Sequence, residues 1–217
     1  MPAWLFDPDA LAERGVLTGT SPGRRSAWYF RHADRSMVLR HYWRGGMVAR
    51  ISPDVYLWAG LRRARPVREW QLLQAMRDHE LPVPRPVAAR VDRRTLCYRG
   101  DLVTLTIPRA QTFDSVICQG LDDAALWKAV GETIRRFHAA GFHHADLNVR
   151  NILVDQGGTV WLIDWDRGSR QAPGRWWRSN LKRLRRSLDK QPLLAERAGR
   201  HWDDLRLAYD AAPGRRR

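Results

Sequence analysis

His144-Ala145-Asp146-Leu147-Asn148-Val149-Arg150-Asn151-Ile152-Leu153-Val154, followed by Val160-Trp161-Leu162-Ile163-Asp164-Trp165-Asp166, is the stretch that decides how this chain is read. Polar residues alternate with short apolar runs, which predicts a loop and two short strands. Transfer of a phosphoryl group to a hydroxyl needs a carboxylate beside the acceptor's proton. It also needs oxygen ligands that hold Mg2+ on the nucleotide phosphates. Asp146 suits the first duty. Asn151 and Asp164, 13 residues apart, suit the second, brought together by the hairpin between them. His144 is placed to brace the loop through its ring nitrogens, and Asp166 to orient the metal site. Any one of these residues alone is an ordinary turn former or structural side chain. Their coincidence points to phosphoryl transfer, with ATP and Mg2+ as cofactors.

Residues N-terminal to this stretch should grip the phosphates. Turn residues and apolar alternation predict three antiparallel strands at 15–18, 27–30 and 37–42. The turn at 19–25 offers Gly23 and backbone amides to cover phosphates, with added charge from Arg24 and Arg25, although a plain hairpin would look the same. The third strand lacks the lysine such a site normally presents: the chain has three lysines, Lys128, Lys182 and Lys190, all further on. Arg40 is the substitute. Pro66 opens a helix over 66–79 whose apolar face is Val67, Trp70, Leu73 and Met76. Glu69 in its first two turns is the partner for Arg40, the alternative being a surface ion pair. A guanidinium fork binds phosphate oxygens with a different reach and geometry from an ammonium.

Further strands are expected at 95–98 and 102–107, and Pro108-Arg109-Ala110 marks a boundary. Beyond it, Asp122 or Asp123 caps a helix carrying Leu126, Val130, Ile134 and Phe137 that ends at Gly141. A later helix places Trp177, Leu181, Leu184 and Leu188 on one stripe with arginines around the rest, and a last helix spans 193–209. The expected fold class is α+β, bilobal and protein-kinase-like. Residues 1–107 form a nucleotide-gripping lobe, an antiparallel sheet with one main helix, and residues 108–217 a small, mostly helical catalytic lobe with a basic tail.

Composition supports a packed core: 217 residues, 44% apolar and 28% charged. The net charge is +15, and the 51 residues after Asp166 contribute +10 of it, with 15 basic and 5 acidic side chains. Such a surface wants an anionic partner, whether nucleic acid, a membrane face or a phosphorylated substrate. Trp176-Trp177 before the arginine-rich helix offers base stacking only superficially, since tryptophans on an apolar helix face pack inward or sit at a membrane interface; no nucleic-acid partner is expected. No stretch approaches the roughly 18 continuous apolar residues of a spanning helix, and no secretory leader is recognisable. The protein is expected in the cytoplasm, where Cys97 and Cys118 would be reduced, buried, structural thiols.

These motifs, together with His41-Tyr42-Trp43-Arg44-Gly45-Gly46, Leu81-Pro82-Val83-Pro84-Arg85-Pro86 and the Arg167-Gly168 that closes the acidic pair, resemble the bacterial lipopolysaccharide-core sugar kinases over nearly the whole chain. The resemblance implies ATP-dependent phosphorylation of the 4-hydroxyl of a 3-deoxy-D-manno-octulosonic acid (Kdo) residue on Kdo-lipid A. The expected place is the cytoplasmic face of a Gram-negative inner membrane, with the protein bound peripherally to an anionic surface. It implies Asp146 as the catalytic carboxylate, Asn151 and Asp164 as magnesium ligands, and Arg40 and Glu69 at the phosphate grip. Two departures stand out: Arg25 follows Gly23-Arg24 where the family tends to have glycine, and Trp165 stands where phenylalanine is more usual. Only 53 residues follow Asp164, too few for a protein kinase's activation segment and large helical lobe. The basic C-terminal region is equally unsuited to the cationic acceptors of aminoglycoside or choline kinases. A core heptose kinase and a catalytically inactive, lipid-binding relative are the alternatives.

Overall fold

Asp7-Pro8 starts the first helix by simple chemistry: the Asp7 carboxylate accepts the N–H groups of Asp9 and Ala10, and Pro8, with no N–H to lose, takes the first helical position. In this computed structural model, which describes residues 2–21, 27–43 and 54–212, that helix (α1, Pro8–Glu13) follows a 3-10 turn at Ala3–Phe6. Both are too short to show an apolar period. Leu5, Phe6 and Leu11 nevertheless pack with Phe30, Met37, Leu39 and Val103 as one apolar cluster.

Strands β1 (Leu17–Thr20), β2 (Ala27–His32) and β3 (Arg35–His41) form the expected antiparallel meander, with the first strand corrected from 15–18 because Gly19 and Thr20 pair with Tyr29 and Trp28 instead of turning. β4 (Tyr56–Leu57), β5 (Pro86–Arg94) and β6 (Cys97–Leu105) complete a six-stranded sheet in which β5 lies along one edge of β6 while β3 and β4 share the other. The strand expected at 95–98 is corrected: Thr95, at φ 53°, and Leu96 make the turn of a β5–β6 hairpin, and one strand then runs unbroken to Leu105. It tolerates Gly100 because a Cβ there would lie 2.6 Å from the Pro66 ring of α2 (Arg65–Asp78). The helix face is also rotated from the expected one. Pro66, Glu69, Leu73 and Met76 are buried, whereas Val67 and Trp70 are only half-buried, so a charged residue sits on the inner stripe.

Met1–Gln74 with Pro84–Thr106 form one compact unit, and Ala75–Val83 with Ile107–Arg217 form a second. The second unit contains β7 (Gln111–Thr112), α3 (Phe113–Cys118), α4 (Ala124–Ala139), β8 (Phe142–His143), β9 (Ile152–Val154), β10 (Val160–Leu162), β11 (Ser169–Arg170), α5 (Trp176–Leu188) and α6 (Pro192–Ala211). Asp123 caps α4 by accepting the Leu126 N–H at 2.8 Å, and Gly141 at φ 80° closes the turn that follows. Gly131 lets α4 and α6 touch, since a Cβ there would meet the Leu205 carbonyl oxygen at 2.2 Å. Cys97 is half-buried and Cys118 exposed, correcting the expectation of two buried thiols. α3 buries Phe113, Val116 and Ile117, and Cys118 falls off that face. Among the described residues no helix is long and apolar enough to cross a membrane.

Candidate active site

The loop from His144 to Asn151 is pinned at both ends, by the β8–β11 pairing before it and the β9–β10 hairpin after it. Within it, the ring of buried His144 accepts the Asp146 N–H at Nδ1 (3.2 Å) and donates from Nε2 to the Ile163 carbonyl (2.8 Å). This fixes one neutral tautomer. Burial holds its pKa below the ordinary histidine value, against the pull of the Ile163 carbonyl and the charges of Asp164 and Asp146. Ile163 is held a second time, its N–H donating to the Asn151 carbonyl at 3.0 Å. Asp164, the next residue, is thereby set beside Asn151 and adopts a left-handed φ of 62°, a conformation that costs energy and persists where the surroundings impose it.

Trp165 explains how the acidic segment is anchored. Its ring is buried, stacks on Phe137 at 5.2 Å, lies 4.5 Å from His144 and donates to the Leu162 carbonyl at 3.1 Å. Tryptophan thus fills the place of the usual phenylalanine and adds a hydrogen bond. Asp166, two residues after Asp164, is half-buried.

Asp146 contrasts with these buried neighbours, for its side chain is 63% exposed. Asn148 Nδ2 lies 3.3 Å from one carboxylate oxygen and Arg183 Nη1 3.4 Å from the other. The Asn151 amide nitrogen donates to the Asp146 carbonyl at 2.9 Å, so its oxygen is the end that a cation would take. Asn151 and Asp164 therefore offer two hard oxygen donors, a set that fits Mg2+, which keeps most of its shell for water and phosphate. No cluster of three or more His, Cys, Asp or Glu side chains suited to a metal occurs among the described residues, and this ion does not require one.

α5 braces the loop with three side chains on one ridge, spaced three and four residues apart. Asn180 Nδ2 donates to the His144 carbonyl at 3.0 Å, Arg183 reaches Asp146, and Ser187 Oγ accepts the Val149 N–H at 3.0 Å. Behind Asn180 stands a buried relay: its Oδ1 is 3.3 Å from His138 Nε2, and His138 Nδ1 is 2.8 Å from the Tyr209 hydroxyl. Burial pushes the His138 pKa down to about 3, so this ring is neutral. Trp176 and Trp177 pack against His138, at 4.9 and 6.0 Å between ring centroids. The relay was not expected from sequence. Its signal is a polar residue, Asn180, inside the apolar Trp177-Leu181-Leu184-Leu188 stripe, and a histidine next to Phe137.

In the first unit, Arg40 on β3 and Glu69 on α2 are paired. Glu69 is 1% exposed and accepts a second hydrogen bond from the Tyr42 hydroxyl, a partner the sequence did not reveal. Arg40 retains 28% side-chain exposure, so one end of a buried pair reaches solvent. Gly23 and Arg24 lie outside the described residues.

A sequence profile of the lipopolysaccharide kinase (Kdo/WaaP) family matches residues 9–209. A 3-deoxy-D-manno-octulosonic acid kinase of Stenotrophomonas maltophilia is 44% identical over 214 residues, covering 96% of this chain and 84% of that protein. One from Vibrio cholerae is 35% identical over 190 residues, covering 88% and 81%. A solved structure of WaaP in complex with acyl carrier protein superposes with a TM-score of 0.60 at 16% identity, covering 94% of this chain and 83% of that one. The α+β, kinase-like fold is shared with it, and the chain belongs to the lipopolysaccharide kinase (Kdo/WaaP) family.

Proposed function

We propose that the protein transfers the γ-phosphoryl group of ATP to the 4-hydroxyl of a Kdo residue of Kdo-lipid A, during assembly of the lipopolysaccharide inner core. The observation that carries this is the exposed Asp146 carboxylate, held on a loop whose other polar groups are satisfied from behind by His144, Asn151 and α5. Asp146 accepts the proton of the attacking hydroxyl. The acceptor oxygen forms its bond to the γ-phosphorus as the bond from that phosphorus to the β–γ bridging oxygen breaks, and the proton passes from Asp146 to solvent. Asn151 and Asp164 would hold Mg2+, which neutralises charge on the phosphates. Arg40, oriented by Glu69, which Tyr42 holds in turn, supplies a guanidinium to phosphate oxygens in place of a lysine. The curated relatives bear the name of a Kdo kinase, which supports this acceptor over a core heptose.

A peripheral position on the inner membrane follows from a lipid-borne acceptor. It is supported by the +10 charge after Asp166 and by exposed Leu57, Leu61 and Leu96 close in sequence to Arg62, Arg63, Arg93 and Arg94. The test offers purified protein ATP and Mg2+ with either Kdo-lipid A or a heptosylated core whose Kdo is already phosphorylated. Phosphate should be incorporated into the first acceptor only. Transfer to the second alone would assign a heptose kinase instead.

A further inference from the structure

A pocket of about 510 Å3 opens beside Asp146 within the second unit, and its far wall is cationic: Arg183, Arg186 and Lys190 line it from α5 and the turn that follows. We propose that this pocket binds the carboxylate of the acceptor sugar acid, and that the carboxylate takes Arg183 away from Asp146. The proposal rests on the kinase function proposed above and adds to it how the acceptor is recognised.

α5 sorts its cations. Arg185 is used internally, donating to Asp189 at 2.9 Å and to the Ala198 carbonyl at 3.3 Å, with its guanidinium 5.5 Å from the Trp202 ring. Arg183, Arg186 and Lys190 instead follow one another at spacings of three and four, on the pocket side. Among the described residues neither Arg186 nor Lys190 forms an ion pair, and the acidic side chain lining the pocket is Asp146. A fourth lining cation, Arg150, is engaged by Asp114 at 3.1 Å. Clustered like charges repel unless an anion sits among them, and guanidinium groups suit a planar carboxylate.

The spacing selects the class of acceptor. Arg183 Nη1 and the Asp146 carboxylate are 3.4 Å apart, close enough for one sugar ring to present a hydroxyl to Asp146 and an anion to Arg183. A ring that carries both a carboxylate and the acceptor hydroxyl engages both groups, whereas a neutral sugar supplies no anion to the pocket's cations. The Arg183–Asp146 contact is long and solvent-exposed, so an incoming carboxylate replaces it readily. Asp146 Oδ1 is then released to the hydroxyl on the same ring.

The experiment measures steady-state kinetics with three acceptors: Kdo-lipid A, its analogue with the Kdo carboxyl reduced to the alcohol, and Kdo-lipid A lacking one lipid A phosphate. For the wild-type protein, carboxyl reduction should raise the acceptor KM by about ten- to a hundredfold, the worth of a charge-assisted pair, and phosphate removal should matter far less. The double variant Arg183→Gln/Arg186→Gln should show a similarly raised KM for Kdo-lipid A, an unchanged KM for ATP, and no preference between carboxylate and alcohol. Arg178→Gln, on an exposed face of the same helix, should behave as wild type. Equal use of carboxylate and alcohol by the wild-type protein would overturn the proposal, as would a double variant that still prefers the carboxylate, or a phosphate dependence exceeding the carboxylate dependence. A wild-type protein that transfers nothing to intact Kdo-lipid A would refute the underlying function before the pocket came into question.

Discussion

Glu69 and Asp146 are the two carboxylates to which the proposed phosphoryl transfer gives a part, and their units treat them in opposite ways. Glu69 is 1% exposed and its oxygens are taken by Arg40 and Tyr42. Asp146 is 63% exposed, and among the described residues its carboxylate meets only long contacts from Asn148 and Arg183. A carboxylate that aims another side chain is best buried and saturated, whereas one that takes a proton must keep an oxygen within reach of substrate. In the 144–151 loop the burial falls on His144 and Asn151, behind the exposed Asp146.

That contrast is most directly broken by exchanging duties. Asp146→Ala should lower kcat by about 10^2 to 10^4-fold with thermal stability and ATP affinity close to wild type, since an exposed side chain is removed. Glu69→Ala should do the reverse in emphasis. Stranding the Arg40 charge next to a vacated buried site should cost about 3–5 kcal/mol of stability in denaturant melts and raise the KM for ATP. If Asp146→Ala instead unfolds the protein, or Glu69→Ala is silent in both assays, the division of labour is wrong.

The brace from α5 gives a smaller effect. Asn180→Ala unpairs the His144 carbonyl and His138 Nε2 together, which should cost about 1–3 kcal/mol and lower kcat more than it alters either KM. A fall in stability with kcat unchanged would make the relay a packing device only.

Acid and base should then separate the two units by sign. In the first, burial of His41 works against its charge, but Asp101 at 2.6 Å and Asp54 at 3.3 Å outweigh it and raise its pKa, with Arg90 and Arg99 paired to the same two carboxylates. A raised folded pKa stabilises fully below the unfolded value of about 6.5 and is lost as pH climbs through the folded value. In the second, His138 is neutral with a pKa of about 3, so the folded form is favoured above about pH 6.5 and loses roughly 2 kcal/mol near pH 5 as the unfolded ring takes up a proton. The melting-temperature gap between wild type and His41→Asn should therefore be wider near about pH 6, below the ordinary histidine value, than near about pH 8.5, roughly two units above it. A gap that widens with pH would contradict the charged His41 cluster.

The 144–151 loop and the hairpin after it were legible in sequence because their members are local: Asp146, Asn151 and the Ile163-Asp164 step are joined by one short hairpin. Arg40–Glu69 was legible across 29 residues only because strand and helix periodicity left few candidates of either charge. What escaped depends on contacts between distant residues that periodicity cannot encode. The His138–Tyr209 and His138–Asn180 bonds span 71 and 42 residues, and the inward rotation of α2 is set by Glu69's partners rather than by its apolar residues. The arginines of α5 had read as a uniform basic face; tertiary contacts divide them into Arg185, spent on α6, and Arg183 and Arg186, turned to the pocket.

The measurement closest to the centre of this account is the position of the phosphate in the product. After incubation of the purified protein with ATP, Mg2+ and Kdo-lipid A, mass spectrometry should find one added phosphoryl group and NMR should place it on the 4-hydroxyl of Kdo. A phosphate on another residue, or an acceptor recovered unchanged beside intact ATP, would contradict it.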